Sequence, residues 1–166
     1  MIRKSVIDDK EQIQHLMWMC FGDRDNREPY KNLEGRYYLY FEHNTLVAMT
    51  GITSDSEYGH LEIDWTCTNL DYRHKGYMQA LFTEMLKDIH DDIYCSCWRL
   101  SDNDKVNLYT LMTMFGFKEV VHSRAHFKVP HNCFRNYEGG CVNCTGIGCE
   151  CYEDLFLCKL SYQEYI

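Results

Sequence analysis

The residues best suited to chemistry gather at one turn. Arg73-His74-Lys75-Gly76-Tyr77-Met78 follows a β-rich run ending at Cys67-Thr68 and opens an amphipathic helix. The first peptide N–H groups of a helix have no internal partner and sit at the positive end of its dipole, so such a turn suits a diphosphate. Gly76 lets the backbone approach phosphate closely, and Arg73 and Lys75 add charge. With 25 acidic against 17 basic residues and a formal net charge of −8, a local basic spot is informative. A second cluster is the run Cys133-x7-Cys141-x2-Cys144-x4-Cys149-x-Cys151. Cys-x2-Cys is the spacing by which a tight turn aims two thiolates at one tetrahedral metal, and Gly139-Gly140, Gly146 and Gly148 supply the backbone freedom. Zinc is the expected metal, with Cys141, Cys144, Cys149 and Cys151 as ligands and Cys133 as a substitute. The other reading is free or disulfide-paired cysteines in a loop.

The elements that must position these residues follow from periodicity. Asp9 with Gln12 three residues on reads as a capping box for a helix to Phe21, with Ile13, Leu16, Met17 and Cys20 on its apolar stripe. Arg36–Glu42 and Thr45–Thr53 flank His43-Asn44 as a hairpin. His60 to Thr68 alternates, placing His60, Glu62, Asp64 and Thr66 on one face and Leu61, Ile63, Trp65 and Cys67 on the other. Gly76–Ile89 is a helix with Met78, Leu81, Phe82, Met85 and Ile89 as its stripe. Ile93–Trp98 is a strand, and Ser101 caps a further helix that Gly116 ends. Lys118–Val129 and Asp154–Ser161 are strands around the cysteine-rich segment. The order β-α-β-β-β-α-β-α-β-insert-β predicts an α/β chain with a mixed sheet.

At 166 residues the chain is the size of one domain, and 45% hydrophobic with 25% charged residues excludes disordered and low-complexity classes. The acidic balance argues against a nucleic-acid binder. No run approaches the roughly 18 apolar residues of a membrane helix, and MIRKSVIDDKEQ has no apolar signal core, so no membrane association is expected. A cytoplasmic location is the expectation. Cys20, Cys67, Cys95 and Cys97 fall within regular elements and read as small core residues.

Arg-x-x-Gly between a strand and an amphipathic helix, followed by a strand and a helix ending Phe115-Gly116-Phe117, resembles the GNAT superfamily of acetyl-CoA-dependent N-acetyltransferases. The resemblance covers Arg3 to about Val129 and the final strand, and is most specific over Tyr72–Leu81, with Met78 at a position the family usually keeps small. It implies a single GNAT-like domain, a mostly antiparallel central sheet flanked by helices, with a cysteine-rich insertion at about 131–153. It also implies that coenzyme A lies on the turn Arg73, His74, Lys75, Gly76, Tyr77 and Met78, its arm pairing with Cys67 and Thr68 and contacting Asn103. Glu62 falls where some members carry a general base, and Asp64 is a second candidate. The family's usual acid, a tyrosine, is replaced by Met112, and Tyr109 lies one helical turn earlier.

The function implied is acetyl transfer from acetyl-CoA, by direct attack, to a primary amine of a small-molecule or peptide acceptor, with a homodimer as a common state of such proteins. The acidic loops Asp23 to Glu28 and Asp55 to Glu57 favour a cationic acceptor. Two rival readings are a binding module that has lost turnover and uses the cysteine segment to hold a partner, and a cysteine-based redox sensor.

Overall fold

The computed structural model describes residues 1–21, 33–54, 61–99, 107–124 and 152–158. They form a mixed α/β fold of seven strands and flanking helices, and every described ladder is antiparallel. The described residues divide into two compact units, one up to Asp92 and one from Ile93.

In the first unit, β1 (Ile2–Lys4), β2 (Tyr37–Glu42), β3 (Thr45–Thr53) and β4 (Leu61–Thr68) pair in chain order. The β2–β3 hairpin turns as expected on His43 and Asn44, both left-handed with φ of 47° and 66°, the geometry that matches the twist of adjoining strands. Helix α1 (Lys10–Phe21) places Ile13, Leu16 and Met17 on a core shared with Tyr37, Leu39, Met49 and Cys67. Helix α2 (Tyr77–Met85) buries Leu81, Phe82 and Met85, and Met85 Sδ lies 4.0 Å from the Thr50 hydroxyl. It is shorter than its apolar stripe predicts. Leu86–Asp88 tightens to a 3-10 turn, where Asp88 accepts from Lys4 at 2.8 Å and from the Tyr38 hydroxyl at 2.7 Å.

The start of α1 also differs from expectation. Asp9 ends a 3-10 turn, Ile7–Asp9, and its carboxylate accepts from the Val6 N–H at 2.8 Å and from Arg3 at 2.5 and 2.7 Å. Gln12 accepts from the Leu46 N–H instead of capping, so the side chains that the sequence pairs with each other serve the sheet. Arg3 holds the buried Asp9 carboxyl below its usual value. Asp9 therefore stays ionised to lower pH in the folded chain than in the unfolded one. Its contribution is complete above about pH 4 and is lost as pH falls through the lowered value. Urea midpoints measured from pH 6 to pH 3 should fall less steeply for Asp9→Asn than for wild type.

In the second unit, β5 (Ile93–Arg99), β7 (Tyr152–Cys158) and β6 (Lys118–Arg124) pair in that spatial order. Helix α3 (Asn107–Met114) buries Leu111 and Met112. It ends at Gly116, whose φ of 79° lets the Phe117 N–H reach the Met112 carbonyl at 3.0 Å, as the sequence predicts. The proposed cap Ser101 and the cysteine-rich segment lie outside the described residues.

Candidate active site

The register of β3 on β4 breaks at one point. Gly51 faces Asp64 and Met49 faces Cys67, so Trp65 and Thr66 together oppose Thr50. This is a β-bulge, and Trp65 takes a left-handed φ of 46°, costly for a bulky residue and common where a strand is re-aimed at a site. The bulge inverts the alternation expected for this strand. Thr66 shares a face with Thr50, their hydroxyls 2.9 Å apart on the α2 side. Glu62 and Asp64 lie on the opposite face, that of Gly51 and Tyr37. The expected polar face of Glu62, Asp64 and Thr66 is therefore corrected: the two carboxylates stay together and Thr66 leaves them. Ahead of the bulge they keep the two-residue period, and beyond it Cys67 joins their side.

The two carboxylates are placed differently. Asp64 forms an ion pair with Arg36 at 2.5 Å, both side chains about one-fifth exposed. Arg36 also stacks over Tyr37, its guanidinium carbon 5.2 Å from the ring centroid. Glu62 is half-buried opposite Thr53.

Beyond the bulge, β4 runs into the basic turn. Asn69 accepts from the Asp71 N–H at 3.1 Å and caps a 3-10 turn, Leu70–Tyr72. Arg73 Nε donates to the Thr68 carbonyl at 3.3 Å, tying the turn to the strand end. His74 and Gly76 are left-handed, with φ of 62° and 79°, and Gly76 immediately precedes α2. The first helical bond runs from the Ala80 N–H to the Gly76 carbonyl at 3.0 Å, leaving the N–H groups of Tyr77, Met78 and Gln79 ahead of it at the positive end. A Cβ on Gly76 would meet nothing within 4 Å, so that side of the turn is open. Lys75 Nζ sits 4.6 Å over the Tyr72 ring. Tyr77 stacks on Tyr40 at 4.4 Å, and the neighbouring Glu42 carboxylate pushes its phenol up to about 12. Tyr77 thus offers its N–H to the turn while its ring packs on the sheet.

These features fit a bound diphosphate: a left-handed glycine, an open flank, helix N–H groups and two cations. Gly76→Val tests the fit. A β-branched residue at this φ costs about 1–2 kcal/mol, and its side chain fills the open flank. Calorimetry should show coenzyme A affinity at least about tenfold weaker, with the thermal midpoint only modestly lowered.

The other expected site residues belong to the second unit or lie outside the described residues. Tyr109 donates to Glu119 at 3.0 Å and meets Phe156 edge-on at 5.1 Å within the second unit. Met112, at the family's tyrosine position, is fully buried. Asn103 and the cysteines Cys141, Cys144, Cys149 and Cys151 lie outside the described residues. Among the described residues no group of three or more metal-binding side chains occurs, and no helix is long and apolar enough to cross a membrane.

Sequence reasoning missed two residues here: Arg36, which holds Asp64, and Cys20, which donates to the Thr68 carbonyl at 3.5 Å. A signal for the bulge exists, since an interior strand glycine such as Gly51 marks a bulge or a close approach. None exists for the partners, whose contacts are distant in sequence.

The family model of the acetyltransferase (GNAT) family matches residues 10–114, more than half the chain, and the chain belongs to that family. No curated protein matches it in sequence. The structure is similar to a GNAT-family acetyltransferase from Bacillus cereus ATCC 10987, at TM-score 0.70 and 17% identity over 96% of both chains. It is also similar to the ribosomal-protein-S18-alanine N-acetyltransferase from Escherichia coli, at TM-score 0.70 and 12% identity over 100% of this chain and 97% of that one. An aminoglycoside 6'-N-acetyltransferase complexed with coenzyme A aligns at TM-score 0.65 and 11% identity over 96% and 97% of the two chains.

Proposed function

We propose that this protein transfers an acetyl group from acetyl-CoA to a primary amine of a cationic acceptor, by direct attack of the amine. The observation that carries the reading is the turn from Thr68 to Gly76, where an open left-handed glycine, Arg73, Lys75 and the first N–H groups of α2 converge. The turn holds the diphosphate, and the strand end at Cys67 and Thr68 pairs with the cofactor's arm. N–H groups near Cys67 stabilise the charge that develops on the acetyl oxygen. Glu62 is the base that removes the ammonium proton, through water. Asp64, held by Arg36, acts as a positioning residue that keeps the guanidinium neutralised on the face it shares with Glu62. Tyr109 supplies the proton to the departing thiolate; a phenol that donates to a carboxylate carries the proton an acid must give.

Acceptor breadth is consistent with the solved relatives, whose names specify a protein alanine in one case and an aminoglycoside in another. The net charge of −8 favours a cationic acceptor here. A cytoplasmic setting belongs to the same proposal. Thiol release from acetyl-CoA over a panel of polyamines, aminoglycosides and basic peptides tests it. Release stimulated by at least one amine is expected, and none across the panel overturns it.

On its spacing, the cysteine segment is proposed to hold one structural zinc through Cys141, Cys144, Cys149 and Cys151. Elemental analysis of protein purified without chelator should find close to one equivalent; less than about a tenth ends the idea.

A further inference from the structure

At the end of the sheet remote from the basic turn lies a cavity of about 320 Å³ that the proposed reaction does not use. The residues around it all belong to the first unit: the end of β1, the starts of β2 and β4, the outgoing end of β3 and the segment that follows α2. A strand rises about 3.3 Å per residue, so Leu61 at the cavity is roughly 20 Å from Thr68. A ligand in the cavity does not touch the donor turn.

Two opposite charges stand side by side in its lining. Lys4 Nζ lies 2.8 Å from Asp88 Oδ2, and the Tyr38 hydroxyl donates to that same oxygen at 2.7 Å. The Tyr38 ring is buried and its centroid lies 5.3 Å from Lys4 Nζ, which fixes the pair against the sheet. Lys4 and Tyr38 hold the Asp88 carboxyl below its usual value, and Asp88 holds the Lys4 ammonium above its own, so both are charged at neutral pH. Both donors go to one oxygen, whereas an ionised carboxylate accepts several hydrogen bonds and an ammonium has three to give. Each member of the pair can therefore hold a ligand group as well.

The ligand that complements such a pair carries two charges of its own. A lone cation drawn to Asp88 meets Lys4, and a lone anion drawn to Lys4 meets Asp88, so a singly charged molecule gains little. An α-amino acid carries its ammonium and carboxylate at a similar separation, and lies head to tail against the pair with each charge facing its opposite. Beside the pair, Ile52, Leu61 and the buried Ile89 offer apolar surface for an aliphatic side chain. Arg36, already paired with Asp64, and the exposed His90 and Asp91 complete the rim. The volume stands at the low end of the roughly 300–1,000 Å³ of ligand pockets, which suits a single amino acid.

We propose that this cavity is a binding site for a free α-amino acid with an apolar side chain, its carboxylate on Lys4, its ammonium on Asp88 and its side chain on Ile52, Leu61 and Ile89. Lys4 and Asp88 are about half exposed, so solvent screens them and the affinity is modest.

Backbone-amide NMR titration of the full chain with L-leucine tests the site, alongside 3-methylbutylamine, which lacks the carboxylate, and 4-methylpentanoate, which lacks the ammonium. Leucine should shift the amides of Lys4, Tyr38, Ile52, Leu61 and Asp88 saturably, with a dissociation constant of about a millimolar or tighter. The amine and the acid should each bind at least about tenfold more weakly. Lys4→Met and Asp88→Asn should each weaken leucine by at least about tenfold while amides remote from the cavity keep their positions. Lys4→Met alone decides the role of the pair if the change beside the buried Tyr38 hydroxyl keeps Asp88→Asn from folding. Absence of shifts at about 10 mM leucine, or a Lys4→Met variant that binds it as wild type does, overturns the site. Either singly charged analogue binding as tightly as leucine overturns it too. The result does not depend on whether the chain binds coenzyme A.

Discussion

Glu62→Gln lowers kcat/KM for acetyl transfer by about 10²–10³-fold and leaves coenzyme A affinity within about twofold. The carboxamide has the shape of the carboxylate but cannot take a proton from the incoming ammonium. The loss falls on the transition state alone, because Glu62 stands ahead of the bulge while the basic turn lies beyond it. The rate of the variant should rise with pH as the free amine replaces the ammonium, recovering part of the loss. Tyr109→Phe tests the opposite end of the reaction. It should lower kcat about tenfold without the pH rescue that marks a missing base, since the phenol serves the leaving group. Equal rates for Glu62→Gln and wild type over pH 6–9 would remove Glu62 from the mechanism.

The second large effect is on stability, through the same bulge. Gly51→Ala places a methyl group against the Asp64 carboxylate and 2.6 Å from two carbons of the Tyr37 ring. Tyr37 is fully buried and Asp64 is pinned by Arg36, so neither is the free end of a flexible chain that can swing aside. The strands must separate locally, at a cost of about 3 kcal/mol, comparable to overpacking a well-filled core. At this chain length that cost lowers the melting temperature by roughly 6–12 °C. A midpoint within about 2 °C of wild type would mean that β3 and β4 do not approach as described.

How far the sequence could be read depends on whether each signal is local. The hairpin at His43-Asn44, the apolar stripe of α2 and the glycine end of α3 were legible because turn chemistry and helical period are set by neighbouring residues. The polar face of β4 was misread at Thr66, since counting by twos assumes an unbroken ladder and the bulge adds one residue. Asp9 and Gln12 form no capping box because Arg3, Val6 and the β3 backbone offer them partners that local spacing cannot reveal. The site shows the same division. The basic turn was legible as a cluster along the chain, whereas Arg36 against Asp64 and Cys20 against the Thr68 carbonyl join residues 28 and 48 positions apart.

The turn from Thr68 to Gly76 is proposed to bind the donor of the acetyl group. Calorimetric titration of coenzyme A into the reduced wild-type protein tests it most directly. One saturable site per chain, weakened at least about tenfold by Gly76→Val, is the predicted result. Folded wild-type protein that gives no binding heat at coenzyme A concentrations of about a millimolar would contradict it.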